Sequence, residues 1–149
     1  MTLHRTTNDD PRYRALVREL DRFLTVTDGD EHAFYDQFNG SAAIPYVVVA
    51  EENGRAIACG ALKPYDPTTL EVKRMYTAEE HRGKGVAVRL LNELEAWARE
   101  LGYLRLVLET GKRQTAAIRL YEKYGFGRMS ENYGPYRAVE NSVCMERTL

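Results

Sequence analysis

Two glycines one residue apart, in Arg82-Gly-Lys-Gly85, stand between a run that reads as a strand, Thr69 to Thr77, and a segment of helical periodicity. In that helix Ala87, Leu90, Leu91, Leu94, Trp97, Ala98 and Leu101 share one face, and Gly102 ends it as a glycine just past the last turn. A strand that turns through glycines into a long amphipathic helix demands layered α/β packing. It also builds an anion site. Glycines let successive backbone N–H groups point inward, and the helix N-terminus adds partial positive charge. Arg82 and Lys84 contribute full charges. The chemistry implied is phosphate or pyrophosphate recognition; the alternative is a helix-start turn bearing solvated basic side chains.

The flanking sequence sets the architecture. Leu3 to Thr6 reads as a short strand. Asp10-Pro11 is a helix start, an N-cap oxygen followed by proline at the first helical position, and Leu16, Val17, Leu20, Phe23 and Leu24 carry that helix to about Leu24. A second short helix is expected from Asp30 or Glu31 to about Asn39, with Phe34 and Phe38 four apart. Tyr46 to Glu51 is a buried strand, Asn53-Gly54 a hairpin turn, and Ala56 to Leu62 the returning strand, followed by a turn from Pro64 to Thr68. After the long helix come a strand over Tyr103–Glu109, a helix over Arg113–Tyr124 ended by Gly125, and two closing strands, Phe126 to about Ser130 and Ser142 to Arg147. The segment Glu131 to Asn141, containing Tyr133-Gly-Pro-Tyr136, reads as a loop. Hairpins followed by β-α-β-α-β predict an α/β chain: one domain over 1–149, with a mixed, mostly antiparallel twisted sheet of about six to seven strands and helices on both faces.

Composition narrows the partners. Of 149 residues, 44% are hydrophobic and 29% charged, with a net charge of −1, so no bulk attraction to nucleic acid or to an anionic membrane is expected. The N-terminal residues contain no apolar signal-like run and no stretch reaches membrane-spanning length, which predicts a soluble cytoplasmic protein. Cys59 and Cys144 lie in apolar runs and are read as reduced core residues. His4, His32 and His81 show no metal-ligand spacing, and no metal is expected.

Two nucleotide motifs fail at the glycine turn. A Walker loop needs Ser or Thr after its lysine, where this chain has Gly85. A dinucleotide fingerprint needs a third glycine, where Gly83-Lys-Gly-Val-Ala-Val88 places valine. Residues 70 to 127 instead resemble the core of a GNAT acetyltransferase. Arg82-Gly-Lys-Gly-Val-Ala87 matches that family's Arg/Gln-x-x-Gly-x-Gly/Ala signature, Met75-Tyr-Thr77 is similar to the strand end that pairs with the pantetheine arm, and Ala117-Ile-Arg-Leu-Tyr-Glu-Lys-Tyr-Gly-Phe126 resembles the Ala-x-x-x-Tyr-x-x-x-Gly-Phe helix and turn. The resemblance fades over the first 40 or so residues and in the 131–141 loop, where family members choose their substrates.

The resemblance implies an acetyl-CoA-dependent N-acetyltransferase acting on a primary amine by direct transfer in a ternary complex. The acceptor would be a small molecule ahead of a protein, and a homodimer is left open. The alternative is a non-catalytic acyl-CoA-binding or sensing module on the same fold. Acetyl-CoA, as cosubstrate, would be held by Met75, Tyr76, Thr77, Arg82, Gly83, Lys84, Gly85, Val86, Ala87 and Gln114, the last standing where many members carry asparagine, seven residues before Tyr121. The amides around Met75 and Tyr76 are candidates for polarising the thioester carbonyl. Tyr121 matches the tyrosine that commonly faces the coenzyme sulfur and could protonate the leaving thiolate; as a bare pattern it is equally a packed core aromatic. Glu71, six residues before Thr77, could take the amine proton or simply pair with Lys73 or Arg74. Glu109 and a water chain remain alternative bases. Asp28, Asp30, Glu31 and Asp36 could make the acceptor entrance acidic.

Overall fold

In the computed structural model, which describes residues 1–28 and 44–149, strand β1 (Thr2–Thr6) leads into helix α1 (Pro11–Asp28). The Asp10 carboxylate accepts the Arg12 backbone N–H at 2.9 Å and its carbonyl accepts the Arg14 N–H at 3.0 Å, so Asp10 caps the helix. The helix runs one turn past the expected end at Leu24. Its buried apolar face stops there, and in the next turn Val26 is exposed and the Thr25 hydroxyl donates to the Asp21 carbonyl at 2.8 Å. The short helix expected over 30–39, with Phe34 and Phe38, lies outside the described residues, as do Asp30, Glu31, His32 and Asp36.

Strands β2 (Tyr46–Glu52) and β3 (Arg55–Asp66) form the expected two-residue hairpin. Asn53 and Gly54 have φ of 52° and 77°, the left-handed pair that such a turn requires. β3 extends through Pro64, which the sequence had suggested begins a turn. Proline is accommodated because the register with β4 (Thr69–Thr77) slips between Pro64 and Asp66, at an irregularity where a ladder N–H is not needed. The reversal falls instead at Pro67-Thr68, where the Asp66 side chain accepts the Thr68 N–H at 2.9 Å. Helix α2 (Val86–Glu100), strand β5 (Arg105–Gly111), helix α3 (Thr115–Tyr124), the two-residue β6 (Gly127–Arg128) and β7 (Ser142–Thr148) complete the order.

The seven strands make one sheet, β1-β2-β3-β4-β5-β7-β6, in which β4 and β5 pair in parallel and the other neighbours are antiparallel, as expected. Strand alternation assigns the two faces. Val48, Ala50, Leu70, Val72, Leu106 and Leu108 pack under α2 and α3, against Leu90, Leu91, Leu94, Ala98 and Tyr121. Val47, Val49, Cys59 and Ala61 pack under α1, against Tyr13, Leu16 and Val17. Further along that second face Val107 and Cys144 pack beneath Tyr133 and Tyr136. Both cysteines are buried and form no disulfide with each other. On α2 the expected apolar face holds except at its end, where Leu101 is exposed; Glu95 is buried, held by Tyr124, Arg99 and Arg147.

Candidate active site

The parallel pairing of β4 and β5 covers only Thr69–Val72 with Arg105–Leu108. Beyond it the strands part. A cavity of about 540 Å³ opens between Lys73–Thr77 on one side and Glu109–Gly111 on the other, reaching the turn before α2 and the start of α3. Of the twelve candidate residues, Glu71, Met75, Tyr76, Thr77, Arg82, Gly83, Gly85, Val86, Ala87, Gln114 and Tyr121 all line it; Lys84, exposed on the turn, does not.

The bend in β4 has a local cause. Between Cys59 and Ala61 the register slips, and Arg74 takes φ of 58°, a left-handed conformation that a long side chain seldom adopts. Contacts on the α1 face hold it there. Arg74 Nη1 donates to Asp21 Oδ1 on α1 at 2.7 Å, and the Cys59 thiol donates to the Arg74 carbonyl at 3.4 Å. The sequence offered no sign of this bulge, since nothing in Lys73-Arg74-Met75 marks a positive φ.

At the turn, Gly83 and Gly85 have φ of 76° and 81°, and a Cβ built on either meets no atom within 4 Å. Glycine is therefore required by backbone conformation, and the space above the turn is open. Gly85 caps α2 without any side-chain cap, and the first bond inside the helix runs from the Arg89 N–H to the Gly85 carbonyl at 3.2 Å. The amides of Val86, Ala87 and Val88 precede it and have no intrahelical acceptor, the donor set a pyrophosphate needs. The residues present thus fit a coenzyme phosphate. Arg82 also lines the cleft; its Nε donates to the Thr77 carbonyl at 2.8 Å, and its guanidinium lies 5.2 Å from the Phe23 ring centre and 5.5 Å from that of Tyr76. It ties α1 to the end of β4.

Glu71 points to the α1 face, since it registers with Val107. It is 7% exposed, and its Oε2 accepts the Tyr133 hydroxyl at 2.6 Å and lies 3.5 Å from Lys73 Nζ. Burial lowers the Lys73 pKa, opposed by the Glu71 charge; burial, then the same carboxylate, pushes Tyr133 well above the ordinary phenol value. Pairing with Lys73 was anticipated. Tyr133 was not, although a Tyr-Gly-Pro-Tyr turn just before the last strand is the kind of rigid aromatic corner that could have signalled it. Glu109 accepts the Ser142 hydroxyl at 2.7 Å.

Tyr121 is 7% exposed, packs edge-on to Phe126 at 5.8 Å, and its hydroxyl has no hydrogen-bond partner among the described residues. Burial raises its pKa. Gln114 caps α3 through its carbonyl, which accepts the Ile118 N–H at 3.0 Å. Among the described residues no cluster of His, Cys, Asp or Glu is arranged to hold a metal, and no helix is long and apolar enough to cross a membrane.

Known proteins resemble this chain in sequence and in fold. An IAA acetyltransferase of Azospirillum brasilense is 34% identical over 136 residues, 90% of this chain and 88% of that protein. A structure from Klebsiella pneumoniae described as an acyl-CoA N-acyltransferase is 30% identical, with a TM-score of 0.82 and coverage of 99% of this chain and 97% of that one. A GNAT family acetyltransferase of Elizabethkingia anophelis, solved with acetyl-CoA bound, shares the fold at a TM-score of 0.70 and 24% identity, over 99% of this chain and 97% of that one. The acetyltransferase (GNAT) family model matches residues 13–126, and with the sheet, the glycine turn and the parted strands this places the chain in the GNAT family of acetyltransferases.

Proposed function

We propose that this chain transfers an acetyl group from acetyl-CoA directly to a small primary amine, with Glu71 as base and Tyr121 as proton donor. The observation that carries the reading is the convergence of the open glycine turn, the parted end of β4, Glu71 and Tyr121 on one cleft. Acetyl-CoA supplies an acetyl group activated as a thioester. The amides of Val86 and Ala87 bind its pyrophosphate, and Met75, Tyr76, Thr77 and Gln114 line the arm's path. Glu71 Oε1, which has no partner among the described residues, accepts the amine proton, and the Tyr121 hydroxyl donates to the sulfur that leaves.

The test is release of CoA thiol across a panel of primary amines, with mass spectrometry of the product. At least one amine should give thiol and N-acetyl product in equal amounts. Coenzyme binding without thiol release above buffer hydrolysis, for every amine, would sink the reading and leave a binding module.

A further inference from the structure

We propose that Tyr133 is a positioning residue for the transfer, fixing the Glu71 carboxylate so that Oε1 alone faces the acceptor amine. The inference rests on the reading of Glu71 as the base. Glu71 has two oxygens, and the structure treats them unequally. Oε2 is occupied by the Tyr133 hydroxyl at 2.6 Å and by Lys73 Nζ at 3.5 Å, whereas Oε1 has no partner among the described residues and Glu71 lines the cleft. A carboxylate anchored through one oxygen by a short charge-assisted hydrogen bond cannot rotate without breaking it. The second oxygen is therefore presented in a fixed direction before the acceptor arrives, which is where catalytic advantage arises.

The anchor is itself rigid. Tyr133 is 5% exposed, and its ring packs edge-on to Tyr65 at 5.2 Å and to Tyr136 at 5.6 Å between centres. The preceding residue braces the loop: Asn132 Nδ2 is shared among the carbonyls of Tyr136, Val139 and Ser142 at 3.1, 3.2 and 3.1 Å. A loop joined by such a brace to the start of β7 behaves as part of the scaffold. Tyr136, on the same turn, also lines the cleft, so the 131–141 segment contributes a wall and, through Tyr133, the orientation of the base. Lys73 Nζ lies beside the same oxygen from within β4 and stays there when the hydroxyl is removed. Loss of the Tyr133 hydroxyl should thus loosen Glu71 without removing its Lys73 neighbour.

The experiment is steady-state kinetics with the amine that gives the highest turnover in the panel above. Tyr133→Phe keeps the ring and removes the donor; kcat should fall about tenfold while the KM for acetyl-CoA is unchanged. In a Glu71→Gln background the same substitution should cost less than twofold, because the group it positions is gone. Fluorotyrosines at position 133, which keep the ring shape and grade the acidity of the phenol, should change kcat in the order of donor strength, and they cover the case in which the phenylalanine variant folds poorly. Equal losses in the wild-type and Glu71→Gln backgrounds, or a kcat indifferent to the fluorotyrosine series, would overturn the inference and leave acetyl transfer standing. A wild-type chain that turns over no amine removes both.

Discussion

Tyr121 shows how environment decides what one side chain can do. A thiol has a pKa of about 8.5 and a phenol about 10 in water, so complete proton transfer from phenol to thiolate is uphill there. Burial raises the Tyr121 value further, which keeps its proton in place at neutral pH. The same cavity disfavours a bare thiolate, so the sulfur becomes more basic as the phenol becomes less acidic, and the two move together. The hydroxyl has no competing partner among the described residues. Tyr121→Phe should therefore lower kcat by about tenfold, at the weak end for general acids because a thiolate leaves fairly well unaided, with acetyl-CoA affinity near its original value. Calorimetry and turnover on one preparation check this: unchanged turnover would reduce Tyr121 to packing against Phe126, and a loss confined to binding would make its hydroxyl a coenzyme contact. The motif Ala117–Phe126 made this residue legible in sequence, because it fixes a tyrosine on one helix face. Glu71 was legible only as a position on a strand. Its state depends on Tyr133, which lies 62 residues away and meets it only through the fold.

At the scale of elements, what was readable is what local rules specify. The Asn53-Gly54 hairpin, the long glycine-ended helix and the Asp10-Pro11 start each follow from a backbone or capping requirement met within a few residues. The β4 bulge, the continuation of β3 through Pro64 and the bond from Tyr133 to Glu71 were not readable, because each depends on a partner distant in sequence: Asp21 for Arg74, the β4 register for Pro64, Glu71 for Tyr133. The α1 cap gives an element-level prediction. Asp10 accepts the Arg12 backbone N–H and pairs with the Arg12 guanidinium at 2.7 Å, and chiefly that side-chain hydrogen bond holds its pKa below the usual carboxylate range. A depressed folded-state pKa contributes stability that is present above the unfolded value and is lost as pH falls through the folded one. Asp10→Ala should cost about 1 kcal/mol at pH 7. The difference between wild type and variant in urea unfolding should shrink as pH drops below about 4, the ordinary carboxylate value. A pH-independent difference would mean that Asp10 acts by packing and not by charge.

Over the whole molecule the sheet divides the work. The α2 and α3 face carries the glycine turn and Tyr121, the α1 face carries Glu71, Lys73 and the Tyr133 corner, and the gap between β4 and β5 connects the two. With a net charge of −1 the chain has no global attraction for a polyanion, so in the proposed reading coenzyme affinity arises locally, from backbone amides presented by residues of fixed φ. A ligand that binds only the folded state stabilises it by mass action, by about 2.7 kcal/mol at a free concentration one hundred times its Kd. For a chain of this size that is a rise in Tm of roughly 5–10 °C with acetyl-CoA. Which part of the turn produces the rise is separable. Gly85 sits at φ of 81°, where a β-branched side chain is strained and its Cβ would occupy the open space above the amides. Lys84 is exposed, does not line the cleft, and its charge is screened by salt. Gly85→Val should therefore abolish most of the acetyl-CoA-induced rise, measured from the variant's own lowered Tm, while Lys84→Ala retains most of it. If the alanine variant loses the larger part of the rise and the valine variant keeps it, the coenzyme is held by side-chain charge at the turn and the amide cradle of α2 is not its anchor.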